Sequence, residues 1–88
     1  MAQSFDVEIV SAEKLIWSGR ATQITARTIE GEIGVLAGHE PLLAVLGDGP
    51  VRVTLEDGKT VEATAADGFL SVERHAVRVV ARVAELAA

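Results

Sequence analysis

His39 in Gly38-His39-Glu40-Pro41 and His75 in Glu73-Arg74-His75 are the only imidazoles in the chain. Neither has a second histidine or carboxylate at a spacing that metal sites use, so ligation has no support in the sequence. Ser11 and Ser18 are possible nucleophiles by type. The Gly-x-Ser-x-Gly elbow that would activate one is absent, and turn or strand-end roles account for both. Gly31, Gly34 and Gly38 resemble a phosphate cradle only superficially, since no Lys-Ser/Thr ending follows and no Gly-x-Gly-x-x-Gly is formed. With no cysteine there is neither a thiol nucleophile nor a disulfide. Lys59 has the size of domain and the turn context of a lipoyl or biotinyl carrier. It follows Asp57-Gly58 instead of standing at the apex after an acidic residue, which suits a solvated turn lysine better.

The elements that position these residues must fit in 88 residues, enough for one domain spanning 1–88. A chain of this size buries only about 60% of its unfolded surface. Apart from alanine, the apolar content is mostly Val, Ile and Leu, with Trp17, Phe5 and Phe69 the only aromatics, a composition that favours strands. A net charge of −5 argues against nucleic acid, whose phosphates demand a basic patch. The start has no basic region followed by an apolar run, and nowhere do about 18 apolar residues run together. Direct membrane insertion is therefore not expected.

Phe5, Val7 and Ile9 alternate with Asp6 and Glu8, the period of a half-buried strand. The same alternation returns at Thr22, Ile24, Ala26 and at Val51, Val53, Leu55. Glu56-Asp57-Gly58-Lys59 then predicts a hairpin with a type I′ turn into Val61–Ala65. Punctuation at Ser18-Gly19, Gly31, Gly34, Gly38, Gly47-Asp48-Gly49-Pro50 and Asp67-Gly68 leaves short segments, as in a sandwich or barrel. The tail reads as a strand to about Val83, with 84–88 a helical stub.

One stretch, Gly31-Glu32-Ile33-Gly34-Val35-Leu36-Ala37-Gly38-His39-Glu40-Pro41-Leu42-Leu43, is more particular than a strand, a turn and a strand require. It resembles the signature of the epsilon subunit of F-type ATP synthases. Val10-Ser11-Ala12-Glu13 with Trp17-Ser18-Gly19, Gly49-Pro50-Val51-Arg52-Val53 and Asp67-Gly68-Phe69-Leu70-Ser71-Val72 are similar to further family stretches, in order and without gaps over about 5–83. Ala37, Asp67 and Arg82 depart from the usual family residues, proline, glycine and an acid respectively.

The resemblance implies an all-β, flattened antiparallel sandwich or barrel of about ten strands. It also implies a non-catalytic rotor subunit without cofactor, held at the cytoplasmic face of the cell membrane between the gamma subunit and the ring of c subunits. By the same resemblance Glu30, Gly31, Glu32 and His39 would face the ring and gamma, and Ser11 with Leu42 to Ala44 would lie toward gamma. Family members usually continue into a helical hairpin that carries auto-inhibition and, in some, a nucleotide site; neither auto-inhibition nor ATP binding is expected of these residues. The alternatives are a carrier domain modified on Lys59 and a generic β-barrel adaptor.

Overall fold

The computed structural model describes residues 3–87. Its strands are β1 (Phe5–Ser11), β2 (Leu15–Thr28), β3 (Gly31–Leu36), β4 (Leu42–Val45), β5 (Gly49–Leu55), β6 (Thr60–Glu73) and β7 (Ala76–Leu86). Pairing runs β1-β7-β6-β5-β2 and closes from β2 back to β1, while β3 extends from β2 and β4 from β6. The hydrogen-bonded surface is thus a closed, flattened barrel measuring 34 × 27 × 20 Å.

The strand count is seven, not ten. Three strands are long and change partners along their length. The first part of β2 pairs β1, and its second part pairs β3 and β5. The first part of β6 pairs β5, and its second part pairs β4. β7 follows β6 throughout but leaves β1 after Ala81. Taken by halves, these strands build two facing sheets: β3, β2, β5, β6, β7 in the first, and β2, β1, β7, β6, β4 in the second. Ser18-Gly19 and Asp67-Gly68, read from sequence as breaks, lie inside continuous strands. One pairing, β1 with β7, is parallel.

Asp67 marks the bend of β6, with a φ of 62°. Beside it β6 and β7 come so close that a Cβ on Gly68 would enter the Val80 carbonyl oxygen. The β5–β6 hairpin occurs as read, but its turn differs. Gly58 takes the positive φ while Asp57 does not. The Gly58 N–H donates to the Leu55 carbonyl at 3.0 Å, and the Lys59 N–H donates to Asp57 Oδ1 at 2.9 Å. An Asx turn with one left-handed glycine therefore replaces the two left-handed residues of a type I′ turn.

The tail is a second correction. Ala84, Glu85 and Leu86 continue β7 opposite Ala65, Thr64 and Ala63, so pairing with β6 overrides the helical preference of Ala and Leu. Ala88, the end of that expected stub, lies outside the described residues.

Between the sheets lie Phe5, Val7, Ile9, Ile24, Val35, Val51, Val53, Leu70, Val72, Val77 and Val79, the inward members of the alternating runs. Ile9 is fully buried. Ile9→Ala is expected to cost about 3 kcal/mol, which lowers the melting temperature of so small a domain by about 12–24 °C; scanning calorimetry reads this directly.

Candidate docking surface

The outer faces of the two sheets differ in chemistry. On the first, cross-strand neighbours are polar: Arg27 opposite Glu32, Gln23 opposite Thr54, Arg52 opposite Glu62, Thr64 opposite Glu85. Arg52 Nε meets Glu62 Oε1 at 2.8 Å. Leu36 and Val83 are exposed only at the margins of this face, the scattered apolar exposure found on any protein.

On the second sheet the register aligns an apolar row across every strand. Val45 is opposite Phe69, Phe69 opposite Val80, Val80 beside Val10, and Val10 opposite Leu15. Phe69 is 50% exposed, and Leu43, two residues along β4 on the same side, is 71% exposed. Ile29 joins the β4 end of the row, because its N–H donates to the Val45 carbonyl at 3.0 Å. Side by side, these side chains form a continuous patch of the kind that marks a protein contact.

Beyond the row the same face turns charged. Arg78 Nη2 lies 2.8 Å from Glu8 Oε1, and Arg20 Nη1 lies 3.0 Å from Asp6 Oδ1. These pairs border an open trough of about 530 Å³ that also includes Ser71 and Glu73. Both arginines there are already paired with carboxylates. Among the described residues no three metal-ligating side chains converge.

The residues singled out from sequence fall into three places. Ile29 and Glu30 form the β2–β3 turn and Gly31 opens β3; Thr28 Oγ1 donates to the Gly31 carbonyl at 2.7 Å and accepts the Glu30 N–H at 3.2 Å. This turn stands at the Ile29 end of the row, and Glu32 follows it on β3. Ser11 stands at the other end, beside Val10. Its Oγ accepts the Lys14 N–H at 3.3 Å and closes the 11–14 turn.

His39 is elsewhere. Its loop is tied to the β6–β7 turn by Gly38 N–H donating to the Arg74 carbonyl at 3.3 Å, and its Nδ1–H donates to the Glu40 carbonyl at 2.7 Å. β3 separates it from the Glu30 turn, a run of about 17 Å at strand rise. The acids and the histidine therefore do not share one site.

Leu42 and Ala44 pack against the core, so the outward members of β4 are Leu43 and Val45. Leu43 lies within the Leu42–Ala44 stretch expected to face gamma, whereas Val45 and Phe69 were missed. The signal was present in Leu42-Leu43-Ala44-Val45-Leu46 and Phe69-Leu70, where apolar residues occupy consecutive positions and so both faces of a strand.

Residues 4–87 match the sequence family described as the ATP synthase delta/epsilon chain, β-sandwich domain. The chain belongs to this family. It is 56% identical over 81 residues to the ATP synthase epsilon chain of Micrococcus luteus, covering 92% of this chain and 89% of that one. With the epsilon chain of Streptomyces avermitilis it shares 47% over 87 residues, covering 99% of this chain and 70% of that one. Among solved structures it resembles a chain of the Euglena gracilis mitochondrial ATP synthase, seen with F1 and c-ring, at a TM-score of 0.88 and 32% identity. That match covers 98% of this chain and 54% of the Euglena chain. A chain from the central stalk and c-ring structure of the Tetrahymena thermophila enzyme shares the fold at a TM-score of 0.73 and 18% identity, covering 93% and 66%. This epsilon-family domain is thus a non-catalytic part of ATP synthase, a membrane-associated complex.

Proposed function

We propose that the chain is a coupling subunit of the central stalk, joining the gamma subunit to the membrane rotor ring at the cytoplasmic face of the cell membrane. The apolar row Val45-Phe69-Val80-Val10-Leu15 with Leu43 carries this reading. A patch that crosses a whole sheet while the opposite sheet is polar fits a permanent partner, and gamma is the partner assigned to it. The carboxylates of the Glu30 turn, at the rim of the row, would pair with amide or basic groups of the ring loops. A closed sandwich suits the task, because close-packed interiors deform little under load.

Co-expression with gamma and the c subunits tests this: the chain is expected to co-purify with both, and recovery of the rotor without it would contradict the proposal. Within that assembly Glu30→Ala with Glu32→Ala is expected to weaken ring retention by about 1 kcal/mol, roughly fivefold, since rim charges contribute little each. His39→Ala, at the far end of β3, is expected to act independently of the acids. A ring affinity unchanged by the double variant would remove the turn from the interface. Titration of the chain with ATP is expected to show no micromolar binding.

A further inference from the structure

We propose that β1 is a mechanical clamp, a load-bearing function that goes beyond docking and does not depend on which partner covers the second sheet. β1 is paired on both sides over nearly its whole length, parallel to β7 from Asp6↔Ala76 to Ser11↔Ala81 and antiparallel to β2 from Phe5↔Ala21 to Val10↔Leu15. Its inward side chains Phe5, Val7 and Ile9 are buried beneath those ladders. Its outward carboxylates are tied one to each neighbour, Asp6 to Arg20 of β2 and Glu8 to Arg78 of β7. Both lateral directions are thereby closed and the inward side is packed, and sliding along the strand axis is opposed by two ladders together.

The parallel pairing decides how force is shared. Tension between the start of β1 and the end of β7 points along both strands, so their hydrogen bonds load in shear and must rupture together. Tension between the start of β1 and the adjacent β6–β7 turn points across the strands. The pairs then open one after another from the Asp6 end, each bearing the load alone. Forced unfolding follows the barrier along the pulled direction, not the overall stability. The two directions should therefore give very different forces in one and the same fold.

The absence of cysteine permits handles to be placed at will. In single-molecule pulling on the full chain, Gln3→Cys with Ala87→Cys loads the clamp in shear, and Gln3→Cys with Arg74→Cys peels it. All three positions are exposed, and equal melting temperatures of the two variants establish that only direction differs. The rupture force under shear is expected to be several-fold higher than under peeling. Equal forces in the two directions, or a higher force under peeling, would overturn the clamp.

Discussion

Gly68→Ala is expected to destabilise the chain by about 3–5 kcal/mol, at the upper end of what single substitutions do. The added methyl group would sit within 2.6 Å of the Ala81 Cα and 2.7 Å of the Val80 carbonyl carbon, and would overlap the Val80 oxygen. All three are backbone atoms of β7, so no side-chain rotation relieves the overlap. β7 must instead move off β6, which disturbs the pairs on either side of Gly68↔Ala81 and unpacks Leu70 and Val79. A domain of this length has a total stability of only about 4–13 kcal/mol. The variant should therefore be partly or wholly unfolded at 37 °C, as urea titration followed by Trp17 fluorescence would report. Asp67→Gly is the contrasting case. It relieves a non-glycine residue at φ 62° and is expected to shift stability by about 1 kcal/mol or less.

Leu43→Glu combined with Phe69→Glu is expected to lower affinity for gamma by at least about thirtyfold, a loss of about 2 kcal/mol, the threshold of an interface hot spot. Both side chains point outward from neighbouring strands of the second sheet, so the fold does not depend on burying them. The melting temperature should accordingly move by no more than a few degrees. Arg52→Glu on the polar face serves as the comparison, since it changes charge without touching the apolar row. An affinity lost equally in both variants would point to net charge in place of the row.

Much of this was legible in the residues. The alternation of Phe5-Val7-Ile9 and Val51-Val53 placed the core because one strand face is buried and the other wet, a condition that writes itself into sequence with a period of two. The Asp-Gly hairpin was legible for the same local reason. What escaped was set by tertiary pairing. β6 runs through Asp67-Gly68 because β7, folded back on it through the turn at 74–75, pairs with it from Ala63 to Glu73, a ladder that the break signal of Asp67-Gly68 does not report. The helical preference at Ala84-Glu85-Leu86 yields to a free ladder on β6. The candidate site was half legible. Glu30, Gly31 and Ser11 flank the apolar row, yet the row itself depends on the register of strands far apart in the chain, which only the fold aligns. His39 was grouped with the acids by family resemblance, and β3 carries it away from them.

The central claim, that the second sheet carries the interface, is tested most directly by accessibility in the assembled rotor. Single cysteines at Val45, in the apolar row, and at Thr64, on the polar face, are to be labelled with a maleimide in the free chain and in its complex with gamma. Labelling at position 45 is expected to slow at least about tenfold on assembly, as a contact centre sealed from water requires, while position 64 reacts at an unchanged rate. Protection of position 64 with position 45 still reactive would place the interface on the opposite sheet and contradict the account.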